Sequence, residues 1–215
     1  MTVFFITVVL LLGLSILYFS ILRPRHLHWG ATDEEVAMQL PGDDLVAHPN
    51  FDATRGITIH STPELIWRWL IQMGSGRAGF YSIDIIDNAG KKSANAILPE
   101  FQTIEEGQFI PFTPSQEHGM WVRAYEIDQY ILWTDKHGHA TWLWYLIPIA
   151  NDKTRLLTRL RTKYVWKGLW ILYYMLYDVG DIMMMRRCMK GIKQRAGKEF
   201  RRLSHGDIPE SQPTT

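Results

Sequence analysis

The feature that most constrains this chain is an uninterrupted apolar segment at its amino end. Residues 2–22 contain no charged residue and no proline. A helix that crosses about 30 Å of hydrocarbon needs about 20 such residues, so the segment predicts a transmembrane helix. A cleaved signal peptide is disfavoured because no basic residue precedes the run and no small-residue cleavage site follows it. A buried core helix is disfavoured because the run is apolar on every side.

Basic residues that follow the apolar segment predict its orientation. Arg23 and Arg25 lie directly after the segment. The positive-inside rule assigns such a flank, and the bulk of the chain with it, to the cytoplasm. We therefore expect residues 1–24 to form a single-pass anchor in the cell membrane, with a soluble domain on the cytoplasmic face.

The composition of the whole chain excludes several classes of protein. Its 23 basic and 22 acidic side chains give a formal net charge of +1, so we expect no nucleic-acid partner. One cysteine, Cys188, can form neither an internal disulfide nor a thiolate metal site. Nine Trp, nine Tyr and nine Phe residues predict a large core or an apolar cavity.

Capping signals predict two helices in the first third of the chain. Thr32 and Glu35 have the spacing of a capping box, which predicts a short helix after Thr32. Thr62 before Pro63 has the order of an N-cap and a first-turn proline, which predicts a second helix. Alternation of apolar and polar residues over residues 57–60 predicts a strand between the two helices.

The pattern from residue 102 onward is typical of β-structure followed by one long helix. Turn residues interrupt the alternating segments at short intervals, which predicts antiparallel neighbours in a meander. The predicted strands cover residues 107–112, 120–126, 130–134, 140–148 and 154–163, and the predicted helix covers residues 169–203. The fold class is therefore α+β, with residues 25–53 as a linker and short helix, 54–203 as the main domain and 204–215 as a disordered tail.

Local motifs within residues 31–196 resemble the START-like superfamily, also called SRPBCC or polyketide cyclase/dehydratase-like. The densest match is QMGSGRAGFY at residues 72–81, which is similar to a bacterial, mainly actinobacterial, branch. Further matches are residues 40–44, 54–55, 63–64, 99–100, 154–157 and 191–193. The amino-terminal membrane segment is a departure from the usual soluble member of the superfamily.

The resemblance implies a helix-grip fold, in which a curved antiparallel sheet surrounds a long C-terminal helix. It implies that residues 54–203 hold a hydrophobic ligand, such as a lipid, an isoprenoid or a polyketide-like molecule, in an internal cavity. Some members of the superfamily cyclise or dehydrate polyketides, so an enzyme using general acid–base catalysis is the alternative. No catalytic residues are carried over from the family.

The block at residues 72–81 contains the letters GxGxxG at residues 74–79. A dinucleotide-binding loop requires a strand before this motif and a helix after it, whereas here a predicted helix precedes it. We interpret the motif as a flexible connection that approaches the sheet or a ligand closely. Arg77 in this connection either binds an anionic head group or ties the loop to Asp84 or Asp87.

Asp135, His137 and His139 place one carboxylate and two imidazoles at a predicted turn. A metal site needs three or four converging ligands with supporting hydrogen bonds, and this segment alone does not supply them. We therefore expect no metal ion and no cofactor.

Tryptophans at intervals of two residues predict aromatic bands across neighbouring strands. Trp121 and Arg123 share one strand face, and Trp142 and Trp144 share another. Such bands either pack a core or form a cavity wall, and the sequence leaves open which face points inward. The predicted ligand-binding residues are Trp67, Gly76, Arg77, Phe80, Tyr81, Trp121, Arg123, Trp142, Trp144 and Met183.

The carboxy-terminal helix has an apolar first half and a basic second half. Asp178 and Asp181 disfavour a second membrane span, because each would cost about 2.5–3.5 kcal/mol at mid-bilayer. Apolar side chains such as Met183 are expected to close the cavity instead. The basic residues either bind anionic lipid or lie in solvent; they are Arg186, Arg187, Lys190, Lys193, Arg195, Lys198, Arg201 and Arg202.

These observations lead to three hypotheses. The first is a membrane-anchored domain that transports or presents a hydrophobic ligand. The second is a cyclase or dehydratase, for which the candidate proton-transfer residues are Tyr125, Tyr145, His60 and Asp84. The third is an interaction module whose interior is filled by its own aromatic side chains.

Overall fold

The computed structural model describes residues 2–163 and 170–205 and has an α+β fold. A curved six-stranded antiparallel sheet packs against one long C-terminal helix, consistent with a helix grip. The helices are α1 (Thr2–Leu17), α2 (Arg23–Leu27), α3 (Asp33–Ala37), α4 (Pro63–Ile71), α5 (Asp84–Asp87) and α6 (Trp170–Ser204). The strands are β1 (Phe51–His60), β2 (Phe109–Pro111), β3 (Gly119–Glu126), β4 (Tyr130–Thr134), β5 (Ala140–Ile149) and β6 (Lys153–Thr162).

The sheet confirms the predicted meander from β2 to β6. Its order is β1-β6-β5-β4-β3-β2, and all neighbouring strands are antiparallel. β1 begins at Phe51, six residues before the predicted start. The prediction was too short because residues 53–56 are all buried, so this part of the strand shows no alternation of apolar and polar residues. The predicted domain boundary at residue 54 falls inside β1.

The predicted capping box at α3 is confirmed. The Thr32 hydroxyl accepts a hydrogen bond from the Glu35 backbone N–H at 3.2 Å, and the Glu35 carboxylate accepts one from the Thr32 N–H at 2.8 Å. At α4 the first-turn position of Pro63 is confirmed, but the Thr62 side chain forms no capping hydrogen bond. The predicted first residue of the C-terminal helix, residue 169, lies outside the described residues. Of the predicted tail at residues 204–215, Ser204 still belongs to α6, and residues 206–215 lie outside the described residues.

The apolar amino-terminal segment is helical in two consecutive parts, and α2 follows it directly. α1 is 16 residues long, and a wider helical turn at Tyr18–Leu22 ends the apolar segment before the basic α2 begins at Arg23. In the described part of the chain, none of the helices has both the length and the apolar character needed to cross a membrane.

The convex face of the sheet is covered by α3 and the loop that follows it. Arg159 of β6 lies under this segment, and its Nε donates to the Thr54 hydroxyl at 2.8 Å. Its remaining four N–H groups bind the Asp43 carboxylate and the backbone carbonyls of residues 35, 36 and 38. The neighbouring Arg155 binds both carboxylate oxygens of Glu35, at 2.7 and 2.8 Å. Arginine side chains therefore fasten α3 to the sheet.

The concave face of the sheet carries the main hydrophobic core, which α4 and α6 cover. Two aspartates of α6 form ion pairs with earlier parts of the chain. Asp181 binds Arg55 of β1, and Asp178 binds Arg23 of α2, each with an N–O distance of 2.6 Å. The two acidic residues that would be costly in a membrane therefore have partners within the protein.

Candidate ligand cavity

An apolar cavity of about 610 Å³ lies between the concave face of the sheet and α6. Side chains of β3, β5 and β6 line one side of it, and α6 lines the other. The principal apolar residues of its wall are Phe80, Phe112, Met120, Trp142, Leu160 and Met185. A volume of this size with this lining is typical of small-molecule sites in proteins.

The register of the sheet explains why Trp142 lines the cavity. Trp142 lies opposite Trp133 of β4 and Leu160 of β6, and directly opposed residues of antiparallel strands share a face. Its ring stacks on Phe80 with a centroid distance of 6.4 Å and meets Phe112 edge-on at 5.6 Å. These three rings form a continuous aromatic wall.

One residue of the cavity wall, Asp87 at the end of α5, has a buried carboxylate. Asp87 is 5% exposed, and neither of its carboxylate oxygens has a hydrogen bond from the described residues. The Ser82 hydroxyl, which also lines the cavity, donates instead to the backbone carbonyl of Met184 at 2.9 Å. Burial raises the pKa of Asp87 to about 6; the Ile83 backbone N–H and Ser82 attract the carboxylate and limit the rise, while the Asp84 carboxylate adds to it.

Two other ionisable groups on the buried wall, Asp181 and Cys188, differ from Asp87 in their surroundings. Burial raises the pKa of Asp181, but its ion pair with Arg55 opposes this rise. Burial also raises the pKa of the Cys188 thiol, and the nearby Asp87 carboxylate adds to the increase. Cys188 therefore stays protonated and is not an activated nucleophile.

Two of the ten predicted ligand-binding residues, Phe80 and Trp142, line the cavity. Trp144 lies in the core at 0% exposure, and its indole N–H has no partner among the described residues. Trp67 is also in the core, with its ring 6.3 Å from that of Tyr125. Met183 is 52% exposed, and the next two methionines of α6 line the cavity in its place.

Trp121 and Arg123 lie away from the cavity. Val122, between them in the strand, faces the concave core, and a bulge separates Val122 from Ala124. Trp121 packs against Phe109 at a centroid distance of 4.8 Å, and Arg123 is exposed. The structure therefore does not bring these two predicted residues together with Phe80 and Trp142.

Arg77, in the glycine-rich connection at residues 74–79, is fixed by contacts with neighbouring segments. Arg77 Nη2 donates to the Ile71 carbonyl at 2.9 Å, and the guanidinium lies 4.5 Å from the centre of the Phe101 ring. The predicted ties to Asp84 or Asp87 are absent from the described contacts of Arg77. Burial lowers the pKa of Arg77. Gly76 is exposed in a turn with φ of 75°, a backbone conformation that favours glycine.

Tyr81 has a structural position beside the cavity rather than in it. Its hydroxyl donates to the Trp69 carbonyl at 3.0 Å and accepts from Gln72 Nε2 at 2.9 Å. Arg195 lies over the ring, 4.6 Å from its centre. Burial raises the pKa of Tyr81, so its hydroxyl stays protonated. These contacts join α4, the glycine-rich connection and α6.

The four predicted proton-transfer residues do not line the cavity. His60 is exposed and contacts the Phe200 ring, with centroids 5.2 Å apart. Tyr145 lies with Tyr130 in the cluster on the convex face, and Tyr125 packs against the main core. Asp84 accepts a hydrogen bond from Ser93 and borders a different cleft. Asp87, one helical turn beyond Asp84, is the carboxylate that the sequence reasoning missed.

The other candidate sites among the described residues are the predicted turn at Asp135 and a charged cleft. No group of three or more His, Cys, Asp and Glu side chains among them is arranged to hold a metal ion. The Asp135 carboxylate accepts hydrogen bonds from the backbone N–H groups of Ala140 and His137, and so orders the turn. A cleft of about 760 Å³ beside the end of α6 is bordered by charged side chains, including Arg68 and Glu199. It lacks the apolar wall of the cavity.

Comparison with solved structures finds START-like and polyketide-cyclase-like neighbours at low identity, whereas no family model and no curated protein matches the chain. A START superfamily protein from Mycobacterium smegmatis is 11% identical, with 69% of this chain and 98% of that chain covered and a TM-score of 0.41. A polyketide-cyclase-like protein from Corynebacterium glutamicum is 14% identical, with 76% and 97% covered and a TM-score of 0.35. A protein of unknown function from Enterococcus faecalis is 15% identical, with 69% and 72% covered and a TM-score of 0.41. Likeness of this degree carries no information about ligand or activity.

Proposed function

We propose that this chain is a START-like domain that binds a hydrophobic small molecule, such as a lipid, an isoprenoid or a polyketide-like compound. The observation that carries the proposal is the open apolar cavity of about 610 Å³ between the sheet and α6. The third hypothesis, an interior filled by the chain's own aromatic rings, does not account for this open volume. Each Å² of apolar ligand surface that enters the cavity contributes about 25 cal/mol to binding, less the entropy cost of association.

Mass spectrometry of the purified chain tests this proposal. After mild extraction, we expect denaturing spectra to contain a co-purified apolar compound. Ala140→Trp places a large ring in the cavity and should remove that compound, whereas Ile149→Trp, at an exposed position on the same strand, should retain it. A wild-type protein that is empty under several mild extraction conditions would contradict the proposal.

We further propose that the apolar amino-terminal segment lies in a lipid membrane and keeps the cavity close to membrane-dissolved ligand. Phe4, Phe5 and Ile16 of α1 are 75%, 70% and 65% exposed, and contact with lipid would remove this apolar surface from water. The ion pair between Arg23 and Asp178 holds the carboxyl end of this helical run against α6. The run therefore meets the domain one helical turn from Asp181, which lines the cavity.

Flotation with phosphatidylcholine vesicles tests the membrane proposal. The full chain should float with the vesicles, and the double variant Phe5→Lys, Ile16→Lys should float far less because it places charge on the apolar helix. Ile127→Lys, at an exposed turn of the sheet, is the matched control and should float like the wild type. Equal flotation of all three proteins would contradict the proposal. The cytoplasmic orientation and the lipid contact of the basic half of α6 stay predictions; in the structure seven of the eight basic residues are exposed and Arg195 is half-buried.

The second candidate function is a cyclase or dehydratase that uses acid–base catalysis. The observation that favours it is the Asp87 carboxylate in the wall of the cavity, with a pKa raised to about 6. A group of this kind transfers protons efficiently near neutral pH. Incubation with poly-β-ketone thioesters should give a cyclised or dehydrated product by mass spectrometry, and Asp87→Asn should abolish it. Ligand retention without any turnover would leave the binding function and remove the enzymatic one.

A further inference from the structure

We infer that Asp87 selects the ligand: the cavity takes an apolar molecule that carries one hydrogen-bond donor, such as a hydroxyl group, and the Asp87 carboxylate accepts its hydrogen bond. The inference rests on the proposed binding function and names the chemistry of the ligand at the same site.

The first argument is the position of Asp87 in the cavity. Its side chain is 5% exposed, and its two oxygens are covered by neighbouring atoms yet have no hydrogen bond of normal geometry from the residues that the structure describes. The donor of a ligand therefore reaches one of these oxygens when the Asp87 side chain turns toward the void that the residue lines. Aromatic and aliphatic side chains form most of the surrounding wall. A buried ionised carboxylate without partners is unfavourable, so a ligand that donates a hydrogen bond to it gains more than the same ligand without a donor.

The second argument is that the neighbouring polar groups are already in use. Ser82 donates to the Met184 carbonyl, and Asp181 is paired with Arg55. The thiol of Cys188 is buried and stays protonated. Among these groups, the Asp87 carboxylate is therefore the one that can still accept a hydrogen bond from a ligand.

The charged and titratable groups around Asp87 decide how this selection depends on pH. Asp84 lies on the same helix, Cys188 and Asp181 face the cavity from α6, and Lys163 is exposed at its edge beyond β6. Burial and the Asp84 carboxylate raise the pKa of Asp87 to about 6. At pH 8 the side chain is an ionised acceptor, and at pH 5 most of it is a carboxylic acid that can also donate.

Two probes of equal chain length separate donor from acceptor chemistry: 1-undecanol has a hydroxyl donor, and 2-undecanone has only an acceptor. Binding of each probe to the full chain is followed by tryptophan fluorescence, since Trp142 lines the cavity. At pH 8 we expect the alcohol to bind about tenfold more tightly or better, because hydrogen bonds to charged groups are strong. At pH 5 the ratio of affinities should fall toward one.

Variants assign this preference to Asp87. In Asp87→Asn the amide both donates and accepts, so the affinity ratio should be close to one at both pH values. Asp84→Asn, which removes a hydrogen-bonded carboxylate of the same helix, should keep the preference at pH 8. If Asp87→Asn does not fold, the wild type alone tests the inference. The ratio of its affinities for the alcohol and the ketone must then fall between pH 8 and pH 5, and an unchanged ratio would overturn the inference.

The outcomes distinguish this inference from the function on which it rests. If neither probe binds to the wild type, the proposed binding function fails and the inference fails with it. If both probes bind equally at pH 8, the cavity binds apolar molecules but Asp87 does not select them. A preference for the alcohol that survives in Asp87→Asn would also overturn the inference.

Discussion

Arg159 and Asp87 are each 5% exposed, but their surroundings are opposite. On the convex face of the sheet, all five N–H donors of Arg159 have oxygen partners. On the concave face, both oxygens of Asp87 lie without partners among the described residues. A buried charge with complete partners holds a structure together, whereas one without partners destabilises it unless a ligand supplies them. The comparison separates a structural region from a binding region within one sheet.

The largest expected effect on stability comes from removing the fully hydrogen-bonded charge of Arg159. Arg159→Met leaves three backbone carbonyls of the segment around α3 without their donor. We expect the free energy of unfolding to fall by about 3–5 kcal/mol, as when one member of a buried ion pair is removed. Urea denaturation measures the change. The control is Arg123→Met at an exposed site, where the change should stay within about 0.5 kcal/mol; a similar loss in both variants would refute the role of Arg159.

The next effect has the opposite sign and concerns Asp87. Its pKa is about 6 in the folded protein, above the usual value, so the folded state binds the proton more tightly than the unfolded state. Its contribution to stability is therefore favourable at low pH and is lost as the pH rises from about 4 to about 6. Asp87→Asn should be more stable than the wild type by up to about 3 kcal/mol at pH 8, and equally stable near pH 4.

Denaturation of both proteins across this pH range measures the difference. The pKa values of Asp178 and Asp181 are also raised by burial, but both residues are present in the two proteins and cancel. A difference in unfolding free energy that does not change with pH would show that Asp87 is not the titrating group.

The smallest effect tests a satisfied group within the binding region. Trp142 Nε1 donates to the Thr158 hydroxyl at 2.8 Å. A double-mutant cycle with Trp142→Phe and Thr158→Val should give a coupling energy of about 1 kcal/mol in thermal or urea denaturation. A coupling near zero would mean that this hydrogen bond does not help to fix the cavity wall.

Much of the fold could be predicted because its signals are local. The capping box at Thr32, the first-turn Pro63 and the alternating strands from β2 to β6 each depend on a few neighbouring residues. The start of β1 could not be predicted, because both faces of residues 53–56 are buried and their sequence does not alternate. Burial on two faces is a property of the assembled domain.

The site was less predictable because it depends on which side of each element faces inward. Trp142 was found from aromatic spacing, but the same spacing also selected Trp121, which the strand directs to the opposite face. Phe80 was found only because it lies in the block at residues 72–81 that resembles the START-like superfamily. Met183 was assigned to the cavity, yet a shift of one position along α6 turns a side chain by about 100° and brings the next methionines inward. Asp87 has no sequence signal of its own, since a carboxylate in a loop region is normally solvated.

The two aspartates of α6 that bind arginine have a consequence for ligand exchange. Asp178 and Asp181 lie one turn apart and hold α2 and β1, respectively. Lifting α6 from the sheet near the cavity would separate both oppositely charged pairs at once, which is costly because the two carboxylates are only 4% and 7% exposed. A guest molecule is therefore expected to enter beneath a stationary helix, and its cross-section is restricted by the fixed gap between α6 and the sheet.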